Sequence, residues 1–379
     1  MTDKTILIVQ LVHPADKVGG GPIQSFLVAK GLADLGWKVV FAAQREDPEG
    51  MLDETFLDKR IKVYWLKKVF PGLEWLHIPK LYCIIRKEKI EVLFTHIYTA
   101  LIGVLAILKK MTGLTFVYMR GTIIFCKKQP LWVKGYIGRY NIIQKLLYFS
   151  SNVLSRIGIK FADIILAQTE EQKEMYKKNF GRDSIVYAGP SILYKEDKEV
   201  LEFPEKPFIL WIGNLVPVKR PEILFEIARQ MPDYQFVMAG GTWGKGYAAK
   251  VKEEANRISN LKDYGEVTYR QSNSLIDNCL VLLSTSEYEG YPNIFKEAWL
   301  CGKPVVSMSP IRFTMIEKER LGALTETIEE TLIALKELIE NKDIYNDVSR
   351  RAKIFSEKEF SLEKNSLHLE RILLETMKK

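Results

Sequence analysis

The chain has 379 residues, with 55 Lys+Arg against 47 Asp+Glu and 47% hydrophobic content. That length suits two domains of ordinary size, and the apolar content is too high for a disordered chain. Four scattered cysteines, Cys83, Cys126, Cys279 and Cys301, form no Cys-x-x-Cys pair, which argues against a disulfide framework or zinc module and fits a reducing cytosol.

The first residues, Met-Thr-Asp-Lys ahead of a strand-like run, lack the basic segment and apolar core of a signal peptide. Thr5–Val12 reads as the first strand. Gly19-Gly20-Gly21-Pro22 reads as a loop, and a helix from Gln24 to Leu35 is stopped by Gly36. Lys38–Ala43, Ile61–Leu66, Val92–Ile97, Thr115–Met119, Asp163–Ala167 and Ser184–Ala188 continue the strands, with helical stretches between most of them. This alternation predicts an α/β fold whose parallel sheet is covered on both faces. Gly189-Pro190 opens a poorly periodic stretch to about Pro207 that reads as a linker. Strands then resume at Phe208–Ile212, Gln235–Ala239, Val281–Thr285 and Pro304–Met308, among helices at Pro221–Gln230, Tyr291–Cys301 and Thr325–Asn341. The pattern is again helical from Asp343 to Lys379. Two doubly wound halves place a ligand in the cleft between the C-terminal edges of their strands.

Charge is unevenly placed. Residues 1–200 carry 30 basic and 20 acidic side chains, and no acidic residue occurs between Glu91 and Asp163. Such a stretch either attracts an anionic surface or is a solvated face that keeps the protein soluble. Within it Ile142, Ile143, Leu146, Leu147, Val153, Leu154 and Ile157 recur at helical spacing, with Lys145, Arg156 and Lys160 between them. This is either a helix docking on the inner leaflet of the membrane or a core-facing helix with a basic outer face. The apolar run Ile97–Leu108 is only 12 residues long, short of the roughly 20 that span a bilayer. No nucleic-acid-binding motif accompanies the charge, so nucleic acid is not an expected partner.

The strongest chemical signal is Ser286-Glu287-Tyr288-Glu289-Gly290-Tyr291-Pro292-Asn293-Ile294-Phe295-Lys296-Glu297-Ala298, between a strand and a helix. Glu289 falls in the loop at the strand's C-terminal edge. The first-turn amides around Tyr291 to Ile294 make an anion site, and Pro292 is a natural helix start. One carboxylate beside a row of N–H donors suits a ligand with both hydroxyls and phosphates. The other reading makes Glu289 and Glu297 a cap and an exposed helix residue.

The wider pattern resembles the retaining family-4 glycosyltransferases, whose signature is Glu-Gly-Phe-x-x-x-x-x-Glu-Ala followed by small-Gly-x-Pro-Val. Here the chain reads Glu-Gly-Tyr-Pro-Asn-Ile-Phe-Lys-Glu-Ala-Trp-Leu-Cys-Gly-Lys-Pro-Val-Val. The resemblance implies a GT-B architecture: two Rossmann-like domains facing across a cleft, with C-terminal helices returning to the first. On that pattern 1–195 binds the acceptor, 196–350 binds a nucleotide-sugar, and 351–379 crosses back. It gives Glu297 the ribose hydroxyls and Glu289 the donor sugar, with the amides of Gly290, Tyr291, Pro292, Asn293 and Ile294 around sugar and diphosphate. Trp211-Ile212-Gly213-Asn214-Leu215-Val216-Pro217-Val218-Lys219-Arg220 resembles the family's Gly-Arg-Leu-x-x-x-Lys-Gly segment. Lys219 matches the lysine that pairs with the donor diphosphate, while Asn214 stands where an arginine is expected. Gly20 and Gly21 match the glycine loop near the donor phosphates, and the Tyr264–Val267 segment, with Val267, matches a strand end beside the nucleobase. His96 and Arg120 end first-domain strands on the acceptor side. Arg120 compensates for Asn214 or recognises an anionic acceptor.

The expected reaction is transfer of a sugar from a nucleotide-sugar, a UDP-sugar by family frequency, to a glycan or lipid-linked acceptor in cell-surface polysaccharide synthesis. Glu289, Lys219 and Arg120 are the catalytic candidates. No cofactor is expected, and no metal, since no Asp-x-Asp occurs. The expected location is the cytoplasm, with peripheral contact to an anionic membrane. A nucleotide-sugar epimerase, another enzyme of the same architecture, or a catalytically silent membrane-associated binding protein are the alternatives.

Overall fold

The computed structural model describes residues 4–47, 49–119, 121, 126, 142–193, 201–241, 245–309 and 313–378. Arg120 therefore lies outside the described residues. The chain divides into two units, Met1–Pro190 with Leu362–Lys379, and Ser191–Ser361.

Among the described residues the first unit carries seven parallel strands: β1 (Thr5–Val12), β2 (Lys38–Gln44), β3 (Ile61–Leu66), β4 (Val92–Thr95), β5 (Thr115–Met119), β6 (Ile164–Ala167) and β7 (Ile185–Val186). They lie in the order β3-β2-β1-β4-β5-β6-β7. Ile6, Leu7, Ile8 and Val9 are fully buried in succession, as helices on both faces of a parallel sheet demand. The second unit carries six: β8 (Phe208–Ile212), β9 (Gln235–Ala239), β10 (Leu261–Asp263), β11 (Val281–Ser284), β12 (Val305–Met308) and β13 (Gly322–Thr325), in the order β10-β9-β8-β11-β12-β13. Strands β10 and β13 escape the sequence pattern. Both are edges with a neighbour on one side only, so a three-residue Leu-Lys-Asp segment suffices.

Strand order reverses between β1 and β4 and again between β8 and β11. Loops leaving two such strands diverge to opposite faces and open a crevice at the C-terminal edge, where ligands of open α/β sheets bind.

Three expectations need correction. The first helix starts at Gly20, so Gly20, Gly21 and Pro22 form its first turn instead of a loop. Proline is tolerated there because its missing N–H would lack an intrahelical partner anyway. The second correction concerns the units, which divide after Ser361 and not at 350. Helix Lys342–Glu359 packs on helix Asn293–Leu300, with the Phe355 and Phe360 rings 6.0 and 6.3 Å from Trp299. Only helix Leu362–Met377 belongs with the first unit, where Glu370 accepts from Lys4 and from the Trp37 indole, both at 2.8 Å. Third, the helix Ile142–Phe161 faces the core along only part of its length, and its inner side is not purely apolar. Small and polar residues turn inward beside the fully buried Ile159: Ser155 Oγ donates to Thr99 O at 2.9 Å, and Asn152, Ser155 and Gly158 are buried. Close approach to helix Ala100–Thr112 leaves Ile142, Ile143 and Leu146 exposed at 75, 63 and 55%.

The returning helix depends on Gly31, where a Cβ would stand 1.8 Å from Ser366 Oγ and 3.2 Å from Leu362 Cδ1. Gly31→Val should destabilise the first unit by about 1–3 kcal/mol through overpacking. Urea midpoints measure this, and an unchanged midpoint would show that the helix can move aside at no cost.

Candidate functional site at the strand reversals

In the second unit the site is assembled from the loops that leave β8 and β11. The chain exits β8 through Gly213–Val216 into a short 3-10 turn, Pro217–Lys219. From β11 it exits through Thr285–Tyr291 into helix Asn293–Leu300. The two loops are laced together. Glu287 N donates to Val218 O at 2.8 Å. The Thr285 hydroxyl donates to the carbonyls of Lys219 and Arg220 at 2.7 and 3.0 Å and accepts from the Trp211 indole at 2.9 Å.

This lacing brings Lys219 Nζ into an ion pair with Glu289 Oε1, both side chains a quarter exposed or less. Ser286 Oγ donates to the same oxygen at 2.6 Å. Trp211, Ile212, Ser284 and Ile294 complete a small cleft around them. Helix Asn293–Leu300 has no side-chain cap, and Pro292 stands at the N-cap, so the helix starts at Asn293, later than the expected Tyr291. Its leading amides form the positive end of the helix dipole, which favours an anion. The Tyr291 ring is buried against Phe313 and Phe360 at 4.8 and 5.5 Å, which leaves its backbone as the part it can offer a ligand.

Glu297 does not line this cleft. It lies one turn beyond Ile294, 3% exposed, and accepts from the Tyr269 hydroxyl at 2.9 Å. Burial pushes its carboxyl up to about 7, against the opposing pull of Tyr269 and of Lys296. Lys296 is itself wholly buried, with Nζ 4.8 Å from the Tyr291 ring centre, and desolvation lowers it. The exposed-residue alternative for Glu297 is thus corrected: it is a core carboxyl. Asn214 is exposed, and its Oδ1 and the Glu266 carboxylate both lie close to Gly241 at the end of β9. Val267, half-buried, immediately precedes the Thr268 cap of helix Tyr269–Asn278. Arg220 does not replace the missing arginine. It is held at φ 47°, a left-handed conformation costing a side chain roughly 1–2 kcal/mol, and its guanidinium is turned onto backbone carbonyls.

The first unit repeats the arrangement at its own reversal. Gly21 follows β1 and His96 follows β4; His96 Nδ1 lies 3.2 Å from Gly21 O, and a Cβ on Gly21 would stand 3.4 Å from His96 O. Gln10 at the end of β1 donates to the His96 carbonyl at 3.2 Å. Gly121, just beyond Arg120, also abuts the imidazole. Sequence reasoning missed Ser286, Thr285 and Tyr269. Ser286 adjoins the glutamate motif, but nothing in the sequence ties Tyr269 to a glutamate 28 residues away.

Residues 18–189 match the family model described as Glycosyltransferase Family 4, and residues 194–355 match Glycosyl transferases group 1. The chain belongs to the family-4 glycosyltransferases, built on two Rossmann-like α/β halves. An uncharacterized glycosyltransferase of Haemophilus influenzae is 27% identical over 236 residues, which cover 57% of this chain. They cover 64% of that relative, so the chain spans less than two thirds of its length. Sucrose-phosphate synthase from Thermosynechococcus elongatus shares the fold at TM-score 0.77 and 17% identity, with 98% of each chain covered. TarM of S. aureus, solved with UDP and alpha-GlcNAc-glycerol, shares it at TM-score 0.69 and 14% identity, over 99% of this chain and 100% of that one.

The buried carboxyl gives a pH signature. Because its folded value lies above the ordinary 4.5, the stability it confers is complete below pH 4.5 and is lost as pH rises through 7. Glu297→Gln, neutral throughout, should therefore gain on the native protein by about 1–3 kcal/mol between pH 4.5 and 8. Denaturation at both pH values checks this; a constant difference would mean that the carboxyl stays ionised beside Lys296.

Proposed function

We propose that the protein transfers a glycosyl group, with retention, from a nucleoside diphosphate sugar to a glycan or lipid-linked acceptor. The observation that carries the reading is the meeting of Lys219 and Glu289 at the β8/β11 reversal, beside the uncapped start of helix Asn293–Leu300. As the anomeric carbon becomes oxocarbenium-like, charge gathers on the departing diphosphate, and preorganised cations and N–H dipoles are what lower that barrier. Lys219 supplies the cation, and the leading amides of the helix supply the dipoles. Glu289, held by Ser286, accepts from sugar hydroxyls, and attack from the leaving-group face keeps the configuration. Glu297 is assigned the ribose, a role that requires the Tyr269 contact to open, since its carboxyl is buried outside the cleft. His96, in the first unit, and Arg120 are assigned to the acceptor side. UDP is the proposed nucleotide, supported by its presence in the TarM complex. The reading has no metal, because no Asp-x-Asp is available to hold one; full activity in EDTA is the corresponding expectation. An epimerase would isomerise the donor without an acceptor, so a product analysis separates the two.

The reading also sets the enzyme on the cytoplasmic face of an anionic membrane, where lipid-linked acceptors lie. Its support is a patch that two separate segments build in the first unit. Gly72 packs on the Leu147 backbone, a Cβ there standing 2.6 Å from the Leu147 carbonyl oxygen. Phe70, Trp75 and Leu76, exposed at 76, 48 and 49%, belong to one of the segments that meet there, and the exposed Ile142, Ile143 and Leu146 belong to the other. Lys67, Lys68, Lys80 and Lys145 belong to the same segments. Apolar anchors with basic neighbours suit the interface of an anionic bilayer, each lysine adding about 1 kcal/mol, less for Lys68, which is ion-paired with Glu46. Among the described residues no helix is long and apolar enough to cross a membrane.

Two measurements test these readings. Thermal-shift titration with UDP, GDP and ADP should show stabilisation by one of them, and Lys219→Ala should weaken it at least tenfold, the scale of a charge-assisted contact. No response to any nucleotide would end the donor assignment. Sedimentation with anionic vesicles should exceed that with neutral ones and fall when Phe70, Trp75 and Ile142 are changed to serine; equal sedimentation would remove the membrane from the account.

A further inference from the structure

Arg220 sits where the resembling motif has glycine, and its φ of 47° is a conformation that glycine adopts without strain. Yet the position carries the longest of cationic side chains, partly buried and directed away from the cleft. Its Nε donates to Thr285 O at 2.6 Å, and its terminal Nη2 donates to Met308 O at 2.6 Å and reaches Ser286 O at 3.4 Å. These carbonyls close the C-terminal ends of β11 and β12, where the ladder stops and the backbone needs other partners. We propose that Arg220 is a positioning residue for the donor site, clamping the two strand ends so that the Ser286–Glu289 loop is held against Lys219.

The connectivity is short at every link. Arg220 follows Lys219 directly, and the Thr285 hydroxyl ties both of their carbonyls to the strand that Arg220 grips. Ser286, whose carbonyl faces the guanidinium, is the residue whose hydroxyl orients Glu289. Glu287 N on Val218 O closes the loop from the other side. A planar fork with donors in fixed directions can hold two strand ends at once, whereas a lysine in its place presents a single point charge. Catalytic groups need placement within about half an ångström, so a clamp of this kind bears on ligand affinity more than on global stability.

The proposal rests on the donor reading above, and the experiment keeps the two apart. Arg220→Gly removes the clamp while relieving the left-handed strain, and Arg220→Lys keeps the charge without the fork. Peptide-resolved hydrogen exchange on the nucleotide-free protein should show residues 286–291 opening at least tenfold faster in both variants, with β9 unchanged as the internal control. UDP, if it binds the native protein, should bind each variant about tenfold more weakly. Native exchange in 286–291, or native UDP affinity in Arg220→Gly, would overturn the proposal. Failure of the native protein to bind any nucleoside diphosphate would overturn the donor reading instead, and the exchange result would still decide whether Arg220 sets the loop.

Discussion

Parallel pairing of β8 with β11 is the constraint on which the second unit's chemistry depends. The two strands are some 70 residues apart in the chain yet adjacent in the sheet, and their following loops leave toward opposite faces. Their C-terminal ends consequently share one crevice, and the lysine of one loop meets the glutamate of the other. Neither side chain would be placed by its own segment. The sheet brings them into range, and hydrogen bonds from the Thr285 hydroxyl and the Glu287 amide remove the remaining freedom.

Electrostatics of the site follow from the same geometry. A partly buried ammonium beside a carboxylate is stable without ligand, because each compensates the other's desolvation. A polyanion entering the crevice meets a cation already placed, and a carboxylate that can turn to hydroxyl donors. The first unit shows the equivalent layout with different chemistry. Its reversal gathers a glycine backbone and a buried imidazole instead of an ion pair, leaving room for backbone to approach closely.

Helix Ile142–Phe161 departs in part from the usual rule for a surface helix, because only Ile159 among its apolar residues is fully buried. Its serines, asparagine and glycine face the neighbouring helix because small side chains permit closer backbone approach, while isoleucine and leucine near its start face outward. Apolar periodicity alone points such a helix inward. The partner's shape decided otherwise, since Gly103 and Gly158 allow contact at distances that larger residues would block.

The sequence by itself determined the α/β class, the alternation of most strands and the two motifs with Lys219, Glu289 and Glu297, because strand burial and loop chemistry are written in local residue type. Edge strands β10 and β13 were illegible, since an edge needs little apolar character. Tertiary structure alone decided that Glu297 is a buried carboxyl under Tyr269, that Arg220 grips backbone carbonyls, and that the chain changes units at Ser361. Each of these turns on which distant segment arrives beside a residue. Packing of one segment on another sets burial and hydrogen-bond partners, and no window of neighbouring residues carries that information.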